Sequence, residues 1–452
     1  MRLIINKEKT FQTFRGIGAS GAWWAQVVGG WDHEDPASGK KVNERIAELL
    51  YNPETGIGMQ IYRYNLGGGS KNSGSSVFPN KNRMAESFDN NGNYDWTRDK
   101  NAVNMMKLCV KEGADEVILF SNSPPERLTK NHKSCLDKAW HSNLPRKNED
   151  AFSDYLLDCA EHFLSEDIPV KFISPVNEPM WVWTEKNGQE GCHYTPFEVY
   201  SLLKKLSSKL KNRPALRDVR ISACENGDIR WFNKAYTFAV LGNKKIRECC
   251  DGIDVHSYCL PIPVPFLNNR LGFLKRYRAF LNIFFPGETV NMSEWCHMKG
   301  GRDSGMNSAL VTAKTMFEDI TILGVSSWQH WIAVSEVDYC DGLIYINEEA
   351  GTFSTTKRLF VTGNFSKYVP RNAKRIEIKT DDKDINAVAF HKDGKTVAVL
   401  INATKNAKNI ENTFGKAVIT ALTDKDNDLT EAEVAENGNI IIPPESVTTI
   451  II

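Results

Sequence analysis

No stretch of this 452-residue chain approaches the ~18 consecutive apolar residues that a membrane-spanning helix needs. Near the N-terminus the apolar run Leu3-Ile-Ile5 is far shorter than the hydrophobic region of a secretory signal. The chain is therefore read without a membrane span, and the missing leader favours a cytoplasmic location. Surplus charge is missing as well: Lys+Arg and Asp+Glu both number 56. With a net charge of zero, no sequence-wide footprint of nucleic acid or anionic membrane binding is expected. The ten cysteines include no C-x-x-C pair, which argues against a disulfide framework and for reduced, mostly buried thiols. Internal repeats and low-complexity tracts are absent too. None of these features sets an oligomeric state.

What is present is an alternation of apolar, strand-like runs with helix-length amphipathic segments. The strands fall at Thr13–Ala22, Met59–Leu66, Glu116–Asn122, Val170–Val176, Val219–Cys224, Gly252–Tyr258, Thr289–Trp295 and Val325–Trp331. Between them lie helical stretches such as Asn43–Tyr51, Arg98–Glu112, Glu149–Ser165, Pro196–Leu210 and Asn307–Leu323, with an eighth helix near Ser354–Val369. Eight such units predict an α/β fold of the (β/α)8 TIM-barrel type over residues 13–370. After Pro370 the pattern changes to short alternating runs separated by Asp-Gly, Asn and Lys turns, as in an antiparallel β-sandwich. Leu3–Phe11 is also strand-like. Residues 1–12 are therefore expected to join 371–452 in a side β-sandwich domain.

A barrel of this kind builds its active site from the C-terminal ends of its strands. Those ends read Gly21-Ala-Trp-Trp24, Arg63-Tyr-Asn65, Ser121-Asn122-Ser-Pro-Pro125, Val176-Asn177-Glu178-Pro179 with Trp181 and Trp183, Glu225-Asn226, His256-Ser-Tyr258, Ser293-Glu294-Trp295 and Trp328-Gln-His-Trp331. Eight of the 11 tryptophans (those seven and Trp31) fall on this one face, whereas a packing role would scatter them among helices and both barrel ends. Indole faces stack on the C–H faces of sugar rings without demanding charge, so the expected partner is a neutral carbohydrate.

Glu178 and Glu294 each follow a buried strand, the fourth and the seventh, which lie across a barrel from one another. If their carboxyl groups stand ~5–5.5 Å apart, the geometry is that of a retaining glycosidase. Glu178 is then the general acid/base and Glu294 the nucleophile. Arg63 is placed to keep Glu294 ionised, Tyr258 to donate to the same carboxylate and Asn177 to bond a sugar 2-hydroxyl. His256 reads equally as structural or sugar-binding. Trp24, Asn65, Asn122, Trp181, Trp295, Trp328 and Trp331 complete the candidate substrate-binding set. The competing class is a barrel that binds sugar without cleaving it, and the presence of both glutamates favours the enzyme.

Two motif-like features fail on context. Gly16-Ile-Gly-Ala-Ser-Gly21 matches G-x-G-x-x-G, but the residues before it are no buried strand, and Ala-Trp-Trp follows in place of a helix start. Cys249, Cys250 and Cys259 with His256 fit no familiar zinc spacing. Neither a cofactor nor a metal is expected.

With these residues in view, the chain resembles glycoside hydrolase family 30. The resemblance runs through Gln12–Trp24, Ile61–Gly69, Ser121–Pro125, Ile173–Pro179, Met292–Trp295 and Gly363–Pro370, the last leading into the side β-domain. It implies retention, no metal, and a side domain formed from both chain termini. Trp23-Trp24 with Val27-Val-Gly-Gly-Trp31 is similar to the branch acting on β-1,6-linked galactan, which makes that glycan the leading substrate. Glu126-Arg-Leu-Thr-Lys130 stands where an aromatic residue or Met is expected. That departure leaves β-glucan, β-xylan and glucosylceramide-type substrates open.

Overall fold

The computed structural model describes residues 1–71, 80–136, 141–230, 233–259 and 269–452. In chain order the principal strands are β1 (Leu3–Phe14), β2 (Gly16–Ser20), β3 (Ile61–Asn65), β4 (Glu116–Phe120), β5 (Val170–Ser174), β6 (Arg220–Ile221), β7 (Cys224–Asn226), β8 (Ile253–His256), β9 (Val290–Trp295) and β10 (Ser327–His330). The nine strands β2–β10 form one sheet in the order β6-β5-β4-β3-β2-β10-β9-β8-β7. It is the curled parallel core of a TIM-type barrel.

The sequence run 219–224 was expected to form one strand, and the structure divides it. The first half, β6, pairs with β5 (Phe172 with Arg220, Ile173 with Ile221). The second half, β7, pairs with β8 (Cys224 with Asp254, Asn226 with Val255). The break has a cause in Asp254, whose carboxylate accepts the Ala223 N–H at 3.0 Å while its own N–H donates to Ala223 O at 2.8 Å. A side chain there takes a donor that a continuous ladder would use.

The parallel strands read as continuous apolar runs because they are covered on both faces. Ile61–Asn65 is buried at every position and pairs in register with Glu116–Phe120. The helices follow ordinary local rules. Pro196–Leu210 starts at a Thr195/Glu198 capping box with Pro196 in the first turn, and buries Val199, Leu202, Leu203, Leu206 and Leu210. Two helices not singled out in the sequence, Asn233–Leu241 and Arg270–Phe284, flank the sixth barrel strand in the chain. The expected eighth helix is shorter, Lys357–Ser366, because Ile344–Asn347 and Thr352–Thr355 form a hairpin before it.

The C-terminal domain is a β-sandwich that includes the N-terminal strand. Its seven-stranded sheet runs β1, then β11 (Ala373–Thr380), β12 (Ile385–Lys392), β13 (Lys395–Asn402), β16 (Ser446–Ile451), β14 (Val418–Thr423) and β15 (Thr430–Val434). β1 pairs antiparallel with β11 from Leu3 opposite Thr380 to Phe14 opposite Ala373. The pair Lys408–Glu411 and Asn439–Ile442 supplies Ile410, Ile440 and Ile442 to a core shared with Ile376, Ala398, Leu400 and Ile450. The Gly363–Lys367 segment docks on this sheet. Asn364 Nδ2 donates to Ala421 O at 3.0 Å and Thr449 Oγ1 at 3.1 Å, and a Cβ at Gly363 would lie 2.5 Å from Leu429 Cδ1.

Backbone proximity divides the chain into two compact units. One comprises residues 1–18, 46–60 and 296–452, the other residues 19–45 and 61–295. None of the ten cysteines forms a disulfide, and all but half-buried Cys259 are buried. Among the described residues no helix is long and apolar enough to cross a membrane.

Candidate active site

The second unit gathers a polar cluster at the ends of β3, β5, β7, β8 and β9. At its centre is Arg63, fully buried, with its guanidinium carbon 3.6 Å from the centroid of the Phe120 ring. Its Nη1 donates to Glu294 Oε2 at 2.9 Å, and its Nη2 donates to Asn177 Oδ1 at 2.9 Å and to Glu225 Oε2. The amides continue outward: Asn177 Nδ2 donates to Asn122 Oδ1 at 2.9 Å, and Asn122 Nδ2 to Asn65 Oδ1 at 3.3 Å. A buried cation is tolerated here because both terminal nitrogens of the fork meet carboxylate or amide oxygens and its flat face meets the Phe120 ring.

Glu178 sits in the left-handed region of backbone space at φ 44°, a conformation that a non-glycine residue holds only when its surroundings impose it. Its N–H donates to Glu225 O at 3.0 Å, and its carbonyl accepts from Trp181 N at 3.1 Å and Trp183 Nε1 at 3.2 Å. Its carboxylate Oε1 lies 2.9 Å from His256 Nδ1. Gly227 makes room for that carboxylate: a Cβ there would fall 2.7 Å from Glu178 Oε1 and 2.4 Å from Trp181 Nε1. Glu294 Oε1 accepts from Tyr258 OH at 3.3 Å and lies 3.6 Å from His256 Nδ1. One carboxylate oxygen each of Glu178 and Glu294 and a ring nitrogen of His256 all lie within 4.8 Å of one another.

That trio is also the group that could offer ligand atoms to a metal ion among the described residues. Its ring nitrogen is already hydrogen-bonded to Glu178, and Cys249 and Cys250 are no part of it.

Three carboxylates share two cations in this cluster. Burial opposes ionisation of Glu225, but Arg63 and His256 outweigh it and hold its pKa below the ordinary range. Burial likewise disfavours a charged His256, and the carboxylates of Glu294, Glu178 and Glu225 overcome it, raising its pKa to about 10. Glu294 behaves differently. Its burial, reinforced by Glu178 and Glu225, lifts its pKa against the pull of His256 and Arg63. Arg63 was expected to keep Glu294 ionised; the pairing is present, but Arg63 is divided between two glutamates.

The structure brings Arg63, Asn65, Asn122, Asn177, Glu178, His256, Tyr258 and Glu294 together, all buried. Trp295 is buried at the end of the same strand as Glu294, and Trp181 is half-buried beside Gly227. The expectation of stacking surfaces at Trp24 and Trp328 is not met. Trp24 is 1% exposed with its Nε1 donating to Ser20 O at 2.9 Å, and Trp328 is 0% exposed with its Nε1 donating to Asp319 Oδ2 at 3.0 Å. Both indoles are spent on packing, with no free face for a ligand. Trp331, half-buried, belongs with Trp328 to the first unit. Glu225 stands at a strand end in the sequence, and its role becomes visible only in this cluster. The signal was there, since a carboxylate between Cys224 and Asn226 at the mouth of a barrel needs a buried cation, and Arg63 was the one strand-end candidate.

Comparison with known proteins agrees with this architecture. The family described as O-Glycosyl hydrolase family 30 matches residues 1–239 and 285–345, and the Glycosyl hydrolase family 30 beta sandwich domain matches residues 372–450. Endo-beta-1,6-galactanase of Hypocrea rufa is 25% identical over 471 residues, covering 99% of this chain and 87% of that protein. A conserved exported protein from Bacteroides fragilis has a similar structure with a TM-score of 0.88 at 24% identity, over the whole of both chains. The catalytic domain of a family 30 xylanase C from Talaromyces cellulolyticus gives 0.75 at 18% identity, over 100% of this chain and 99% of the other. These two structures share the fold.

Proposed function

The chain belongs to glycoside hydrolase family 30, and from that premise we propose that this O-glycosidase cleaves a neutral β-linked glycan with retention, Glu178 serving as general acid/base and Glu294 as nucleophile. The observation that carries the reading is that one oxygen of each carboxylate lies within 4.8 Å of the other beside His256, which fits the ~5–5.5 Å spacing of a double-displacement pair better than the wider gap of an inverting one.

In the first step Glu294 attacks the anomeric carbon, the bond to the leaving oxygen breaks, and that oxygen takes a proton from Glu178. A glycosyl ester on Glu294 results. Glu178, now ionised, removes a proton from water as the water attacks the same carbon and expels Glu294. Arg63 and Tyr258 fix the nucleophile's two oxygens, and the protonated His256 beside Glu178 steadies the carboxylate formed when Glu178 gives up its proton. Glu225 is a positioning residue that holds Arg63. Asn177, bonded to Arg63 and Asn122, has a second amide hydrogen for the sugar 2-hydroxyl, with Asn65 and Asn122 behind it. Trp181, beside Gly227 and part-exposed, is the indole placed to stack on a sugar ring.

The substrate proposed is β-1,6-galactan, supported by the similarity to the Hypocrea galactanase over 99% of the chain and by the absence of net charge. The test incubates the protein with β-1,6-galactooligosaccharides, β-1,6-glucan and glucuronoxylan and follows products by chromatography, with Glu294→Ala as the control. Cleavage of the galactan, abolished in the control, is expected. Cleavage of glucan or xylan with none of galactan would reject the substrate, and cleavage of nothing would favour the binding-only barrel.

A further inference from the structure

Glu190 is a buried carboxyl group, 2% exposed, with no part in the chemistry above. Its oxygens accept from the backbone of the loop that follows β3: Oε2 from Gly68 N–H and Oε1 from Ser70 N–H, each at 3.0 Å. Burial leaves its pKa raised even so, and these donors are what make an anion tolerable there. The bonding continues past that loop. Gly68 O accepts from Glu126 N at 2.9 Å, Glu126 Oε1 accepts from Ser134 N at 3.1 Å, and Ser134 O accepts from Gly191 N at 2.9 Å. Gly191 follows Glu190 in the chain, so four hydrogen bonds close a ring through the loops after β3, β4 and β5. Glu190 and Glu126 are the two side chains in that ring. Glu126, which stands where an aromatic residue or Met is expected, therefore serves as an acceptor that ties one loop to itself and to its neighbour.

From the ring the chain runs directly to Glu178. Gly191 lies so close to Trp183 that a Cβ would fall 2.2 Å from its Cγ, and Trp183 Nε1 donates to Glu178 O at 3.2 Å. His193 Nδ1 donates to Trp181 O at 3.3 Å, and Tyr194 N–H donates to Pro179 O at 3.0 Å. Residues 191–194 thus hold the 178–183 segment at three places. Glu178 needs such a hold, because its backbone sits at φ 44°, a strained conformation that persists only when the surroundings over-determine it. The bonds at Gly68 and Ser70 both call for an acceptor, which a carboxylate supplies twice. Glutamine offers one acceptor and one NH2 group, so one of the two N–H groups would face a donor.

We propose that Glu190 is a positioning residue for the acid step: through the ring it shares with Glu126 it fixes residues 191–194, and these hold Glu178 in place. The proposal rests on the reading of Glu178 as general acid/base.

The test pairs a rate series with a reading of position that does not depend on turnover. Position is read from the Trp183 indole N–H, assigned by its loss in Trp183→Phe, whose exchange with solvent is followed by NMR. In Glu190→Gln that exchange should quicken roughly 10- to 100-fold as the hold on Glu178 loosens. On a series of aryl glycosides the same variant should lose about 10- to 100-fold on poor leaving groups and stay within about threefold on activated ones. In a Glu178→Ala background the substitution should cost nothing further, since the group it positions is gone. Glu126→Ala removes one bond of the ring from a half-buried position. It should move both readouts the same way by a smaller factor, and it carries the test if Glu190→Gln does not fold. Unchanged indole exchange would overturn the proposal. So would a loss in Glu190→Gln that is equal across leaving groups where Glu178→Ala shows a graded one, or a loss that adds in full to that of Glu178→Ala. Faster indole exchange, with a Glu178→Ala protein that shows no dependence on leaving group, would leave Glu190 as the residue that positions Glu178 and reject the acid/base assignment.

Discussion

His256 Nδ1 lies 2.9 Å from Glu178 Oε1 and 3.6 Å from Glu294 Oε1, so one buried imidazole touches both proposed catalytic carboxylates. Its pKa is raised from 6.5 to about 10 by those carboxylates, against the effect of burial. The native state therefore keeps a proton that the unfolded chain loses above about pH 6.5. Stability from this group is complete below that pH and is lost as pH rises towards 10. Thermal unfolding between about pH 7 and pH 9 should show stability falling by up to ~1.4 kcal/mol per pH unit from this one proton. His256→Gln should flatten the slope by that amount. An unchanged slope would show that the ring is neutral in the native protein.

Replacing Glu178 by Ala should slow substrates with poor leaving groups by about 10²–10⁴-fold while sparing activated aryl glycosides, whose departing oxygen needs little protonation. Steady-state rates on a series of aryl leaving groups check this. Equal losses across the series would count against an acid role.

Gly227 is expected to be as sensitive as a catalytic residue. A methyl group there meets the Glu178 carboxylate at 2.7 Å and the Trp181 indole nitrogen at 2.4 Å, so Gly227→Ala must push the acid/base out of position. A displacement near 1 Å costs roughly 10²-fold in rate. We expect that loss in kcat with an unchanged unfolding midpoint; wild-type turnover would show that the carboxylate is free to move.

Much of this was legible in the sequence, for identifiable reasons. Barrel strands such as Ile61–Asn65 are buried on both faces and so stand out as unbroken apolar runs, and the polar residues that end them fall at the mouth by topology alone. That logic placed Arg63, Asn177, Glu178, His256, Tyr258 and Glu294 together. It could not divide the fifth strand, because the break depends on an Asp254 side chain from the neighbouring strand. Nor could it separate an indole left part-exposed from one that packs, since Trp24 and Trp328 occupy the same kind of strand-end position as Trp181. The helix Arg270–Phe284 went unnamed because Arg270, Lys275, Arg276 and Arg278 interrupt its apolar stripe.

The proposed side domain, residues 1–12 with 371–452, should be inseparable from the rest in practice. Deleting 371–452 removes the partner strand of Leu3–Phe14 and both acceptors of buried Asn364, a loss on the order of several kcal/mol. Circular dichroism of the truncated chain should show a lower, less cooperative transition. A soluble, fully active truncation would establish independence.

The central claim is that Glu178 and Glu294 act in double displacement, and the stereochemistry of the first product tests it most directly. Proton NMR of a digest of β-1,6-galactooligosaccharides, recorded before mutarotation, should show the β-anomer appearing first and the α-anomer only later. An initial α-anomer would contradict the mechanism.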